Sequence, residues 1–194
     1  MSHSDHLYFG RELYKKGDLD GAIAEYRNDL RLNPNDVCAH SNLGAALQMK
    51  GDLKGAIAEY RAAICLNHND VGTHYNLGTA LAKKGDYEGA IAEYRAALLL
   101  KPNHVHAHCN LGVELAKKGD YEGAIAEYRA ALRLNSNEVD ARYNLALALR
   151  AKNDLVSARK EYKKALKLIP KTSENQSKIE YIRSELSKLA GAMP

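Results

Sequence analysis

One segment of this chain recurs at a fixed interval of 34 residues. The segment at residues 86–98 is repeated unchanged at residues 120–132, and related segments begin at Asp18, Asp52 and Asp154. A period of this length predicts one supersecondary unit stacked on copies of itself, rather than a single globule around one core. We therefore expect any functional surface to be shared among the units, and no single catalytic pocket is implied.

Five frames of 34 residues cover almost the whole chain. They are residues 3–36, 37–70, 71–104, 105–138 and 139–172, and a tail follows at residues 173–194. Within each frame the apolar and small residues fall at helical spacing in two groups, which are separated by a break. We therefore predict that each unit is a helix, a tight turn and a second helix, so that the fold is all-α.

Two adjacent residues mark the break between the predicted helices. The first is glycine in four frames and asparagine in the fifth, and both types accept the left-handed conformation that ends a helix. The second is always aspartate, which is a favoured N-cap for the helix that follows. The turn positions are Gly17, Gly51, Gly85, Gly119 and Asn153, and the cap positions are Asp18, Asp52, Asp86, Asp120 and Asp154.

The predicted core of each unit combines small and large residues. Small residues in both helices allow close approach of the two backbones, because a larger side chain would force them apart. The large residues expected to fill the space are a tyrosine in the second helix, an apolar residue in the first helix and a leucine near the end of the second. These are Tyr26, Tyr60, Tyr94, Tyr128 and Tyr162; Phe9, Leu43, Leu77, Leu111 and Leu145; and Leu32, Leu66, Leu100, Leu134 and Leu168.

The pattern resembles the tetratricopeptide repeat (TPR), because Leu-Gly in the first helix is followed by Ala, Tyr, Ala and Pro at that family's offsets. The resemblance implies a right-handed α-solenoid of helix–turn–helix repeats. The tail at residues 173–194 places Ile179, Ile182, Leu186 and Leu189 on one helical face, so we predict a C-terminal capping helix over the apolar face of the last repeat. The alternative for the tail is docking to another subunit or into the groove. Departures from the family are Asp29, where later frames have alanine, and His6, His40, His74, His108 and Arg142, where tryptophan is frequent.

In the resembling family the first helices line a concave groove. In frames two to five the residue before the leucine of Leu-Gly is asparagine, whose amide can donate and accept hydrogen bonds with an extended peptide. The resemblance implies that these amides face solvent in the free protein and bind peptide together with their variable neighbours. The candidate peptide-binding residues are Asn42, Asn76, Asn110, Asn144, Tyr75, Thr79, Lys83, Val113, Lys117, Tyr143, Leu147 and Arg150. Two simpler explanations remain open: asparagine serves folding and solubility, and the lysines complement helix dipoles.

The predicted function is that of a non-catalytic adaptor. The chain lacks phosphate-loop, Gly-x-Ser-x-Gly, His-Glu-x-x-His and Cys-x-x-Cys signatures, so we predict no catalytic residue and no cofactor. The expected partner is a protein or peptide, and the cations of the groove favour an acidic one. A self-associating scaffold, joined through its ends or convex face, is the alternative. RNA binding is a minor alternative. The net charge of +4 would favour it, but the basic residues do not form a strong basic stripe.

Neither a metal site nor a membrane segment is predicted. His104 and His108 have the i, i+4 spacing of a chelating pair, but His104 precedes the helix and no carboxylate or thiol is set to complete a site. The chain has no apolar stretch long enough to cross a membrane and no signal-peptide pattern. Its three cysteines are not closely paired, which fits a reducing compartment. We therefore expect a cytoplasmic protein.

Overall fold

The fold is built from helices throughout residues 2–191, the range that the computed structural model describes. This range contains eleven α-helices, one 3-10 turn and no β-strand, which confirms the predicted all-α class. None of these helices is long and apolar enough to cross a membrane. The helices are α1 His3–Lys15, α2 Leu19–Leu32, α3 Val37–Met49, α4 Leu53–Leu66, α5 Val71–Lys84, α6 Tyr87–Leu100, α7 Val105–Lys117, α8 Tyr121–Leu134, α9 Val139–Ala151, α10 Leu155–Leu168 and α11 Gln176–Gly191, with the 3-10 turn at Ser173–Asn175.

The chain divides into two compact units, one ending at Pro102 and the other beginning at Asn103. In the first unit the helices form three hairpins, α1 with α2, α3 with α4 and α5 with α6, and α2 packs on α3 as α4 packs on α5. In the second unit α7 pairs with α8 and α9 with α10, while α8 packs on α9 and α11 packs on α10. Each 34-residue frame thus holds one helix hairpin.

The tight turn of every hairpin has the predicted chemistry. The four turn glycines have φ between 83° and 87°, and Asn153 has φ 64°, so all five lie in the left-handed region. The aspartate that follows caps the second helix, because its carboxylate accepts a hydrogen bond from the backbone N–H three residues later over 2.8–3.0 Å. Both features are confirmed, and the asparagine shows that the turn requires a backbone conformation rather than glycine itself.

Close contact between the two helices of a hairpin depends on a glycine that faces a tyrosine ring. A Cβ at Gly78 would lie 2.8 Å from Cε1 of Tyr94, and the same contact occurs at Gly10, Gly44 and Gly112. Each of the five tyrosines is at most 2% exposed. In the fifth repeat Ala146 occupies the glycine slot and is itself fully buried. The ring therefore packs on the backbone of the first helix, which sets the distance between the helices.

A polar pair also joins the two helices of each hairpin. In the first four repeats Nδ1 of a histidine in the first helix lies 2.6 Å from a glutamate carboxylate in the second. The pairs are His6–Glu25, His40–Glu59, His74–Glu93 and His108–Glu127. In the fifth repeat Arg142 takes the histidine position and donates to Glu161 over 2.8 Å. The four histidines thus lie between the two helices of their hairpins, and each is bonded to a carboxylate.

The second ring nitrogen shows why arginine can replace histidine here. Nε2 of His74 lies 3.0 Å from the carbonyl oxygen of His68, six residues earlier. The two ring nitrogens of His74 thus contact two acceptor groups, the carboxylate of Glu93 and a backbone carbonyl. The guanidinium of Arg142 donates to Glu161 and to the carbonyl of Ser136, which stands at the same offset. In both residues the side-chain nitrogens therefore reach a carboxylate on the second helix and a backbone carbonyl six residues earlier.

Two parts of the predicted core are wrong. Phe9 is 45% exposed, whereas the matching Leu43 and Leu77 are almost fully buried. The helices α3 and α5 that carry these leucines pack on preceding helices, and no helix precedes α1 within residues 2–191. The final leucine of each second helix is between 37% and 58% exposed, because no later turn of that helix covers it. These leucines are Leu32, Leu66, Leu100, Leu134 and Leu168.

We expect the histidine position to accept arginine but not alanine. His74→Ala removes both ring nitrogens and leaves the partly buried Glu93 without its partner on α5, so it should destabilise the protein by about 1–3 kcal/mol. His74→Arg should retain most of the stability, as in the fifth repeat. Denaturant melts of the two variants would measure this, with Arg142→His as the reciprocal control. The interpretation would be wrong if arginine proved as destabilising as alanine.

Candidate functional site

The asparagines of the proposed ladder lie one per repeat on first helices. Asn42 on α3 and Asn76 on α5 belong to the first unit, and Asn110 on α7 and Asn144 on α9 belong to the second. All four residues are half-buried, so none of them is fully exposed to solvent. The reason is that each is adjacent to a leucine whose side chain is almost completely buried in the hairpin core. Their amides are therefore held by the packing of the helix.

Asn42 differs from a freely solvated amide in one further respect. Its Nδ2 atom is buried and has no hydrogen-bond partner among the residues that the structure describes. A buried amide donor without an acceptor is unfavourable by about 1–3 kcal/mol. This amide is thus available for a hydrogen bond that the free chain does not supply.

Other candidate residues of the first unit contribute to the packing of the third hairpin. The Thr79 hydroxyl donates to the backbone oxygen of Tyr75 over 3.0 Å, and the hydroxyl of Tyr94 donates to Thr79 over 3.3 Å. The rings of Tyr75 and Tyr94 are 5.9 Å apart. Lys83 is exposed in the last turn of α5. Tyr75 and Thr79 therefore support the core tyrosine, whereas Lys83 is accessible at the surface.

In the second unit the structure brings five candidate residues together. Val113, Lys117, Asn144, Leu147 and Arg150 line one cavity of about 370 Å³. The remaining lining comes from small residues of α7 and α9 and from two tyrosines of α8, namely Ala116, Ala148, Ala151, Tyr121 and Tyr128. The cavity thus lies among α7, α8 and α9. Its size and largely apolar wall are those of a pocket for a side chain or small group.

The cations that line this cavity are already paired with carboxylates. Lys117 donates to Glu114 over 2.9 Å, and Glu114 is only 3% exposed. Arg150 bonds to Glu185 of α11, which also accepts from Lys188 over 2.9 Å. Burial acts to raise the pKa of Glu185, but the hydrogen bonds from Lys188 and Arg150 outweigh it and lower that pKa below its usual value. The cavity is therefore closer to neutral than its lysine and arginine suggest.

Helix α11 also covers part of the candidate surface on α9. The ring of Tyr143 lies 6.0 Å from that of Tyr181 and 5.3 Å from Nζ of Lys178. Lys178 also bonds to Asp140 over 2.5 Å. Two candidate residues, Tyr143 and Arg150, thus contact α11 in this arrangement.

The face of α11 that packs inward is close to the predicted one. Ile179, Ile182 and Leu189 are buried as expected, while Leu186 is half-buried and Glu185 is buried beside it. The sequence missed Glu185 because its burial depends on Arg150, a residue of another helix. Residues 192–194 of the predicted tail lie outside the described range.

Docking of α11 on α10 creates a second cavity that the sequence analysis did not identify. It has a volume of about 500 Å³ and is lined by Lys163, Leu166, Lys167, Lys171, Ile179 and Arg183. Its three lysines recur every four residues; Lys163 and Lys167 share one face of α10, and Lys171 follows the end of that helix. This periodicity is the signal that could have revealed the basic side of the cavity.

The histidine pair considered as a chelate does not act as one in the structure. His104 is the N-cap of α7, where its ring nitrogen accepts from the backbone N–H of Ala107 over 3.3 Å. Nδ1 of His108 is bonded to Glu127. The two imidazoles therefore have separate structural roles.

Ten described helices form five hairpins with the same turn conformation and aspartate cap, and four of these hairpins share the glycine–tyrosine contact, which defines an all-α helical-repeat protein. A family model described as TPR repeat matches residues 10–51 and 49–85, and one described as tetratricopeptide repeat matches residues 75–138 and 109–172. The chain belongs to the tetratricopeptide repeat family. Proteins of this family are generally non-catalytic, and the fold implies a protein–protein interaction adaptor.

Several solved structures share this fold. The crystal structure of MamA is 26% identical with a TM-score of 0.81, covering 92% of this chain and 95% of that one. YrrB, a TPR protein with an unusual peptide-binding site, is 24% identical with a TM-score of 0.77 over 86% of both chains. A thermophilic TPR protein in Thermus thermophilus is 23% identical with a TM-score of 0.68, covering 93% of this chain and 98% of that one. No curated protein matches the chain.

We expect Glu185→Gln to loosen α11 at neutral pH. The variant loses the charge that Arg150 and Lys188 contact, so α11 should be less stably docked by about 1–3 kcal/mol. The pKa of Glu185 is lower in the folded state, so its stabilisation is present above about pH 4.5 and is lost as pH falls through the folded-state value. Hydrogen exchange of α11 against pH would show the two proteins converging in acid.

The matched control is Glu180→Gln, which changes an exposed carboxylate on the same helix that accepts from Gln176. It should leave the exchange of α11 nearly unchanged. Equal effects of the two substitutions at neutral pH would show that the buried charge does not hold α11.

Proposed function

We propose that the chain is an adaptor whose second unit binds an extended peptide across α7 and α9. The observation that carries the proposal is the cavity of about 370 Å³, whose lining includes five residues of the candidate set. Four of them, Val113, Lys117, Leu147 and Arg150, follow the Leu-Gly position of their helices, and Asn144 is the ladder amide itself. Five residues selected from their sequence offsets therefore line one cavity, and this supports the proposal.

The chemistry of the cavity favours an apolar anchor flanked by backbone hydrogen bonds. Val113, Leu147 and the ring of Tyr121 provide an apolar wall for one peptide side chain. Asn144 supplies a donor and an acceptor at the edge, which suits a peptide bond. Main-chain bonding with side-chain pockets is a common way to bind an extended peptide, and it tolerates varied sequences between the anchors.

The ion pairs of Lys117 and Arg150 limit how strongly the cavity attracts an acidic partner. An acidic ligand would have to compete with Glu114 for Lys117 and with Glu185 for Arg150. The acidic preference inferred from the sequence is therefore a secondary contribution, and it should weaken as salt screens the charges. The first unit offers the same amide chemistry separately, with Asn42 and its unsatisfied Nδ2 and with Asn76.

Self-association is the second candidate function, and one observation favours it. Tyr8 and Phe9 on α1 are 61% and 45% exposed, and their rings pack edge to face 5.6 Å apart. Exposed neighbouring aromatics of this kind are enriched in protein interfaces. RNA binding remains the minor alternative, with no further observation in its favour.

A random-peptide library selected on the full chain would test peptide binding. Asn144→Ala should weaken the selected peptides roughly two- to twelve-fold, the equivalent of one hydrogen bond. Leu147→Glu should abolish binding, because it places an unpaired charge in the apolar wall. Val156→Glu is the control, since it introduces the same charge at a position of the same unit that is 71% exposed and does not line the cavity.

Circular dichroism would establish that each variant is folded, and light scattering over a dilution series would report self-association. Peptides that bind the Leu147→Glu and Val156→Glu variants equally well would contradict the proposed site. A dimer that dissociates when Tyr8 and Phe9 are changed to serine would instead support the scaffold.

A further inference from the structure

The first repeat contains a buried carboxylate that the other four repeats lack. Asp29 on α2 is 0% exposed, and neither of its oxygens has a hydrogen-bond partner among residues 2–191. The matching positions are Ala63, Ala97, Ala131 and Ala165, all fully buried. A group this unfavourable in the free chain indicates a missing partner.

Two further donor atoms converge on Asp29. Nδ1 of His3, at the start of α1, lies 3.5 Å from Oδ1 of Asp29 and 3.7 Å from Oδ2 of Asp36. That nitrogen is also buried without a hydrogen-bond partner in the described range. Asp36 is the N-cap of α3 and uses Oδ1 for the backbone N–H of Ala39. One ligand atom from each residue lies within 4.8 Å of the others.

These separations fit the coordination sphere of a small divalent ion. Ligands at bond lengths of about 2.1 Å in tetrahedral geometry are separated from one another by about 3.4 Å. The two measured separations are close to this value, although they exceed ordinary hydrogen-bond lengths. The ion would neutralise two carboxylates and satisfy the buried nitrogen and Oδ1 of Asp29.

We propose that His3, Asp29 and Asp36 form a binding site for a divalent first-row transition metal of the zinc type. An imidazole with two carboxylates suits such an ion better than calcium or magnesium, which prefer oxygen ligands. The His3 side chain is 43% exposed, so water completes the coordination on that side. The ion joins the start of α1, the last turn of α2 and the cap of α3, and it stabilises the first repeat.

The test compares the full chain, freed of metal by a chelator, with two variants. Isothermal titration with zinc and the visible d–d absorption of cobalt should show one site that Asp29→Ala lacks and that His3→Ala weakens at least ten-fold. Zinc should raise the Tm of the wild type and not that of Asp29→Ala. Because Asp29→Ala introduces the alanine of the other repeats, it should fold at least as stably as the metal-free wild type.

Asp70→Ala is the matched control. Asp70 caps α5 as Asp36 caps α3, but Ala63 stands in the place of Asp29 at that junction. This variant loses a cap and should keep the metal site. The proposal is overturned if Asp29→Ala binds as many zinc ions as the wild type, or if His3→Ala leaves the zinc affinity unchanged.

Discussion

The contact between a tyrosine ring and the backbone of the opposite helix is the constraint on which each hairpin depends. Tyr94 can lie 2.8 Å from the Cβ position of Gly78 only because glycine has no side chain there. The turn glycine and capping aspartate bring the second helix back antiparallel, but the ring sets the spacing of the pair. Once that distance is fixed, the histidine of the first helix reaches the glutamate of the second. The repeated contact between histidine and glutamate is thus a consequence of the packing.

Local rules of backbone chemistry explain why much of the fold could be predicted. The turn residues, the capping aspartates and the small residues between the two helices depend on interactions within one 34-residue frame. The structure has all three as the sequence predicts. The predictions that were wrong concern exposure, which depends on neighbours. Phe9 holds the same position in α1 as Leu43 holds in α3. Only Leu43, however, lies on a helix that packs against a preceding described helix.

The same distinction explains what could be predicted of the candidate site. Helical offsets placed Val113, Asn144 and Leu147 on one surface, because both helices carry the same repeat pattern. The pairing of Arg150 with Glu185 could not be found this way, since α11 follows no repeat. Asp29 was visible as a departure from alanine, but its proximity to His3 and Asp36 depends on how α1, α2 and α3 pack. The sequence therefore identified Asp29 as unusual, whereas its two neighbours could be found only from the three-dimensional structure.

Internal pairing of charge also limits what a count of basic residues can say about partners. Lys117, Arg150 and Lys178 would each suggest attraction for an anion, yet each already contacts a carboxylate of its own unit. A ligand gains from such a cation only the amount by which the new contact exceeds the one it replaces. Shape and amide hydrogen bonds then carry more of the discrimination than net charge. For this chain we therefore expect the apolar wall beside Asn144 to select a partner more strongly than the excess of lysine and arginine.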